Sequence, residues 1–233
     1  MRVKFTPEPL QPWHKLYYMG LEVVKDDPDV IFHWNYTGTL WEACTEECDC
    51  PIINLHTLTT RKSYVDSIFR HIYGYSSAAQ GSFAVEKPEG TNGCKDCKLV
   101  NIEDSRQGYF YQMPFIDCEL WEQSFDEYRI TVMDYIPVIC LIKRKRVSPK
   151  DLIGQVVQYQ FCDVPDGMIE KFCKAYPMQY GELDCTFYDG RFYIFDVNPT
   201  PGDAAFNRMP KDQSEEYMDR YKTLLYEWLT SLS

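Results

Sequence analysis

The chain has no run of about 18 apolar residues that could span a bilayer, and its first residues, MRVKFTPEPLQPW, contain no apolar signal core. These two absences exclude a transmembrane helix and predict a cytoplasmic protein. An excess of positive charge is also missing. Twenty-four Lys and Arg stand against 35 Asp and Glu, for a net charge of −11, which argues against nonspecific nucleic-acid binding because neutralising phosphates requires surplus cations. Internal repeats, low-complexity tracts and long linkers are absent as well. What the chain does contain is aromatic weight: 18 Tyr, 13 Phe and 5 Trp in 233 residues predict a well-packed globule of one large domain or two small ones sharing a core.

Ten cysteines without a signal peptide are expected as free thiols rather than a disulfide framework. Two groups of them have ligand-like spacing, Cys44-Thr-Glu-Glu-Cys48-Asp-Cys50 and Cys94-Lys-Asp-Cys97. Zinc held by Cys44, Cys48, Cys50, Cys94 and Cys97 is the metal-module alternative, against which the irregular spacing of the first group counts. Cys118, Cys140, Cys162, Cys173 and Cys185 are expected as small core residues.

Asp29 to Trp34 and Pro51 to Leu55 have the composition of short buried strands. From Thr60, a candidate cap, the period changes to helical through Tyr64, Val65, Ile68, Phe69 and Ile72, and Gly74 ends the helix. Gly81 to Pro88 reads as a strand delivering Lys87 at its end. Glu89 to Lys98 is a turn-rich loop, and strands are expected over Lys98 to Glu103, Tyr109 to Ile116 and Arg129 to Lys143, with Pro137 near a turn. Further helices are expected over Asp163 to Tyr176 and Gln213 to Leu232, the last with Tyr217, Tyr221, Leu224, Leu225 and Trp228 facing the core. Strict βαβ alternation is lacking, which predicts an α+β fold of mainly antiparallel sheets, flanking helices and a short N-terminal lobe. The expected boundaries are 1–58 for that lobe and 59–233 for the main domain.

The stretch GELDCTFYDGRFYIFDVNPTPG, residues 181–202, carries the chemistry. Along a strand Phe192, Ile194, Asp196 and Asn198 would share one face, and an acid in so apolar a run is costly to bury without a partner or a metal. Asp184 joins that face across an odd-numbered turn and leaves it across a two-residue Asp189-Gly190 turn. Both turns are compatible with the residues. Carboxylate and amide oxygens are hard ligands that suit Mg²⁺ completed by substrate phosphates.

Asp184, followed twelve residues later by Asp196-Val197-Asn198-Pro199 and then Pro201-Gly202, resembles the ATP-grasp superfamily, whose carboxylate-amine ligases usually carry Glu-Val-Asn-Pro there. The resemblance spans roughly residues 28 to 207. It implies an ATP-grasp fold, with 81–115 covering the nucleotide and 116–233 holding the metal. It further implies that Asp184, Asp196 and Asn198 bind Mg²⁺, that Lys87 and the earlier Lys62 contact the nucleotide, and that Gly90 to Gly93 close over the phosphates. Gln112 and Met113 would meet adenine, Asp117 or Glu119 the ribose, and Arg129, in Glu127-Tyr128-Arg129, the phosphates or the acyl phosphate, with Arg144 as a second candidate for that charge role. The implied activity is ATP-dependent formation of an acyl phosphate on a substrate carboxylate, then attack by an amine or other nucleophile. Kinase-like phosphoryl transfer and nucleotide binding without turnover are the alternatives. Asp196 in place of Glu shortens one ligand arm by a methylene.

Overall fold

The computed structural model describes residues 1–34, 40–56, 58–75, 83–88, 98–101, 110–114, 124–148, 151–164, 167–188, 190–202 and 206–232. The first strand, β1 (Arg2–Pro7), alternates: Val3 and Phe5 are buried while Arg2, Lys4 and Thr6 are less so. A 3₁₀ turn, Lys15–Met19, follows, then β2 (Glu22–Val23), β3 (Val30–Trp34), β4 (Leu40–Trp41), β5 (Ile52–Ile53) and β6 (Leu58–Thr59). Helix α1 (Lys62–Tyr73) ends at Gly74, whose φ of 74° is left-handed backbone that glycine adopts without strain. Its N-terminus is flanked by Arg61, which makes no side-chain capping bond, so the expected cap at Thr60 is displaced.

Strands β7 (Phe83–Pro88), β8 (Lys98–Asn101) and β9 (Phe110–Pro114) lead to the long strands β10 (Ser124–Met133), β11 (Ile136–Ser148) and β12 (Asp151–Cys162). Helix α2 (Met168–Ala175), strands β13 (Tyr180–Tyr188) and β14 (Arg191–Asn198), and helix α3 (Lys211–Ser231) complete the chain. The N-terminal sheet, ordered β2-β1-β3-β5, is parallel. The β4-β6 pair, the β8-β7-β9 sheet and the β12-β11-β10-β13-β14 sheet are antiparallel. The architecture is therefore α+β with mainly antiparallel sheets. Among the described residues no helix is long and apolar enough to cross a membrane.

Alternation along the five-stranded sheet assigns its two faces to different cores. Ile130, Val132, Cys140, Leu183, Cys185, Ile194 and Val197 pack with Val65 and Phe69 of α1 and Ile169, Phe172 and Cys173 of α2. Ile139, Leu141 and Tyr159 pack on the opposite side with Tyr217, Tyr221, Leu225 and Trp228 of α3 and with Val3, Phe5, Phe32 and Trp34 of the N-terminal sheet. Cys140, Cys173 and Cys185 are buried, and Cys162 packs against that core, as their residue type predicts.

One residue ties the parallel sheet to the start of β13. Asn54 is buried, with a φ of 57°, and its Nδ2 donates to the Tyr180 carbonyl at 3.0 Å while its Oδ1 accepts the Tyr180 N–H at 3.0 Å. An asparagine tolerates this backbone better than most residues, and here its amide stands in for a strand neighbour.

Candidate functional site

Both turn expectations for the β13–β14 hairpin meet in an unforeseen way. Tyr188 pairs with Arg191, so two residues close the turn, with Gly190 at a φ of 67°. On its own that register would separate Asp184 from Asp196. A bulge intervenes: Cys185 pairs with Ile194, but Asp184 pairs with Asp196 and Glu182 with Asn198. The extra residue in β14 reverses the faces beyond it. Phe192, Ile194, Asp196 and Asn198 therefore do not share one face, contrary to simple alternation. Ile194 lies in the α1–α2 core, whereas Asp196 and Asn198 join Asp184 and Glu182 on the other side.

A close approach holds this register. A Cβ on Gly181 would lie 2.7 Å from the Asn198 carbonyl oxygen, 3.0 Å from Pro199 Cα and 2.4 Å from Met178 Sδ. Beyond β14, Asn198 Oδ1 accepts the Thr200 N–H at 3.2 Å, and Asp196 Oδ1 accepts the Val197 N–H at 3.1 Å. The N-terminal segment then caps the loop: Lys15 donates its backbone N–H to Pro201 at 3.1 Å, and His14 bridges Gly202.

Neighbouring strands supply cations to the carboxylates. Arg129 lies directly opposite Asp184 in register and grips it with two hydrogen bonds, 2.8 Å from Nε and 2.9 Å from Nη2, the planar fork geometry that suits a carboxylate. Lys143 donates to the same Asp184 Oδ1 at 3.0 Å. The ion pairs form an alternating series: Lys145 with Glu127, Glu127 with Lys143, Lys143 with Asp184, Asp184 with Arg129, Arg129 with Glu182 at 3.6 Å, and Glu182 with Lys15. Burial alone would raise the Asp184 carboxyl, but Arg129 and Lys143 outweigh it and hold it well below the usual carboxylate range. Burial likewise works against the Arg129 charge, and Asp184 and Glu182 more than offset it.

The series ends in a sealed polar knot. Glu182 Oε1 is paired with Lys15 and also accepts from Tyr217 at 3.1 Å, while Lys15 Nζ donates to the Tyr217 hydroxyl at 2.9 Å. Thr131 stands 3.2 Å from that hydroxyl. Lys15, Thr131 and Tyr217 have no exposure and Glu182 almost none. Burial pulls the Lys15 ammonium down to about 8, against the opposing pull of Glu182.

The structure thus brings Arg129, Asp184, Asp196 and Asn198 together. Arg144 is not among them: it pairs in register with Asp126 on the opposite face and binds it at 2.8 and 3.0 Å. Lys87 lies at the end of β7 opposite Tyr111, and Gln112 and Met113 pair with Glu86 and Val85, but the side chains of these residues and of Lys62 lie outside the described ones. Gly90, Gly93, Asp117 and Glu119 also fall outside. Lys143, Glu182 and Lys15 are new to the site. The alternation of Glu127 with Arg129, and of Lys143 with Lys145, was the available signal for the sheet cations, whereas nothing in the sequence points to Lys15.

The oxygen donors suit a hard cation, yet Asp184 is already engaged by cations. Among the described residues no three His, Cys, Asp or Glu side chains cluster closely enough to hold a metal by themselves. By themselves Asp184, Asp196 and Asn198 are therefore an incomplete donor set for a hard cation, which would need further oxygen ligands from a bound molecule. Cys48 and Cys50 have their sulfurs 3.1 Å apart and Cys44 is unbridged, while Cys94 and Cys97 lie outside the described residues.

No protein-family model matches the chain, and no curated protein matches it in sequence. Solved structures do resemble it. D-alanine–D-alanine ligase from Bacillus anthracis complexed with ATP superimposes with a TM-score of 0.57 at 13% identity, covering 100% of this chain and 97% of that one. A second structure of the same ligase gives 0.56 at 13% identity, with the same coverage. An ATP-grasp protein of the RimK domain type from Sphaerobacter thermophilus covers 89% of this chain and 95% of its own, at a TM-score of 0.45 and 10% identity. The fold of this chain is the ATP-grasp fold.

Proposed function

We propose that the protein is an ATP- and Mg²⁺-dependent ligase that activates a substrate carboxylate as an acyl phosphate for attack by an amine or other nucleophile. The observation that carries this reading is the register of Asp184 with Asp196, and of Arg129 with Asp184, within an ATP-grasp fold. The ATP bound to the ligase of similar fold supports the choice of nucleotide.

In this reading Asp196 and Asn198, with Asp184, hold Mg²⁺, which when bound neutralises phosphate charge and screens the approach of an anionic carboxylate. Arg129 and Lys143, fixed by Asp184, present positive charge where the transferring phosphoryl group and the new acyl phosphate carry negative charge. Because both are already held, little reorganisation is needed when that charge develops. Lys87 at the end of β7, with Lys62 and the backbone of Gly90 to Gly93, contacts the phosphates. Gln112 and Met113 meet adenine, and Asp117 or Glu119 the ribose. The carboxylate oxygen attacks the γ-phosphorus, ADP leaves, and the nucleophile then displaces phosphate from the acyl carbon.

Calorimetry of ATP binding with and without Mg²⁺ on the wild type and on Asp196→Ala tests the site. Mg²⁺-dependent binding that collapses in the variant is expected. Absence of binding to the wild type overturns the reading. Product analysis with carboxylate and amine pairs then separates a ligase, which yields ADP, phosphate and a new amide, from kinase-like transfer, which leaves a stable phosphorylated product.

A further inference from the structure

We infer that Lys15 is a positioning residue of the nucleotide site, whose task is to occupy Glu182 so that Arg129 remains with Asp184. The inference rests on the reading of that site given above.

The geometry poses a competition. Arg129 Nε is 2.8 Å from Asp184 Oδ1 and 3.6 Å from Glu182 Oε2, so two carboxylates on one strand, two residues apart and on one face, bracket one guanidinium. Glu182 Oε2 is fully buried and has no hydrogen-bond partner among the described residues. Glu182 would recover most by drawing the guanidinium toward itself. What prevents this is the other oxygen: Lys15 and Tyr217 both engage Oε1, which satisfies the charge and turns Oε2 only loosely toward Arg129.

Lys15 can do this only from a fixed place. Its backbone N–H is bound to Pro201 and its predecessor His14 bridges Gly202, so the segment rests on the loop that continues from Asp196 and Asn198. Its ammonium lies 4.8 Å from the ring centre of Tyr217 and 5.6 Å from that of Tyr221, where α3 presents the aromatic faces that favour a desolvated cation. Among the described residues, the charged and titratable groups facing it include Glu182 and Asp184 of β13, Arg129 of β10, and Tyr217 and Tyr221 of α3. A residue more than 160 positions upstream of the carboxylates, |i−j| being 167 for Lys15 and Glu182, thereby decides which of them Arg129 serves.

Removing Lys15 alone should release Glu182 to compete, whereas removing both charges should not. The test uses Lys15→Met, Glu182→Gln and Lys15→Met/Glu182→Gln in the full chain. Mg-ATP affinity is read by calorimetry and the Arg129 Nε–H environment by ¹⁵N NMR. The expected result is an affinity loss of about tenfold in Lys15→Met with a shifted Arg129 resonance, and recovery to within about threefold of the wild type in the double variant. Equal losses in the single and double variants, or an unmoved Arg129 resonance in a folded Lys15→Met protein, overturn the inference. If Lys15→Met does not fold, the double variant is compared with Glu182→Gln. Without a carboxylate to hold, loss of Lys15 should then cost less than about threefold, and a tenfold cost overturns the role. If the wild type binds no ATP, the proposed function fails and the Arg129 resonance alone decides the inference.

Discussion

Stability should depend on pH through Lys15 in a direction opposite to the usual alkaline loss. Burial lowers its ammonium from 10.5 to about 8, so between these values the unfolded chain binds a proton that the folded protein does not. Stability from this group therefore rises with pH across that window. The cost of keeping the charge buried is present in full below about pH 8 and fades as the unfolded lysine also loses its proton near 10.5. The gap between 10.5 and about 8 corresponds to about 3 kcal/mol, of which about 2.5 kcal/mol is recovered between pH 7 and pH 10. Burial pushes up the thiols of Cys140, Cys173 and Cys185 and the phenols of Tyr180, Tyr217 and Tyr221. Those groups act the other way, because the unfolded chain releases their protons first, from about pH 8.5 upward. The wild type alone will thus show a mixture. The Lys15→Met/Glu182→Gln variant keeps the thiols and phenols and isolates the pair. Urea unfolding of both proteins at several pH values between 7 and 10, followed by fluorescence of the buried Trp34 and Trp228, should show wild type gaining about 2.5 kcal/mol on the variant. Parallel curves, with a difference constant to within about 0.5 kcal/mol, would refute the reasoning.

Other perturbations test the positioning of β13 and its cations. Asn54→Ala leaves the Tyr180 N–H and carbonyl without their partner and puts alanine at a φ of 57°; a loss of about 2 to 4 kcal/mol in urea unfolding is expected. Gly181→Ala drives a methyl into the backbone of Asn198 and Pro199, which cannot swing aside as a side chain can. It should cost about 1 to 3 kcal/mol and weaken Mg-ATP binding measured by calorimetry at a temperature where the variant is folded. Arg129→Ala should lower that affinity by about tenfold or more, while Arg144→Ala, on the opposite face with Asp126, should change it by less than about twofold.

Much of the fold was legible because its signals are local. Gly74 stops α1, Tyr217, Tyr221 and Trp228 mark the buried stripe of α3, and Val30–Trp34 reads as a buried strand. Strand β12, DLIGQVVQYQFC, was not anticipated: its polar residues follow no clean alternation, since it lies at the sheet edge and its pairing with β11 slips twice. The parallel N-terminal sheet was also missed, because β1 carries Arg2 and Lys4 and ends in Pro7. In the site, Asp184, Asp196 and Asn198 were visible as residue types, but their common face depends on a bulge at Phe195. Period-two reasoning has no means of foreseeing a bulge, and without it the hairpin turn and the carboxylate row appear incompatible. Lys143 belongs to the run Lys143-Arg144-Lys145-Arg146, whose composition alone suits a solvated surface, and only the register opposite Glu127 turns it inward.

The charge arithmetic of the ion-pair series and Asp196 is the physical reason why the proposed nucleotide binding should require a divalent cation. Lys15, Arg129, Lys143 and Lys145 are matched by Glu127, Glu182, Asp184 and Asp196, four positive against four negative, so these residues offer no net charge to a polyphosphate. The carboxylates cannot be shed to make the site more positive, because Glu182 and Glu127 each hold a buried lysine that would otherwise stand unpaired in a poorly solvating interior. Nor can the cations leave Asp184, which burial penalises without them. A neutral, mutually locked set of this kind gains little by meeting the triphosphate alone. In the proposed reading, attraction therefore comes from Lys87 and Lys62 and from a cation that arrives with the nucleotide, while the Arg129 and Lys143 pairs with Asp184 stay in place.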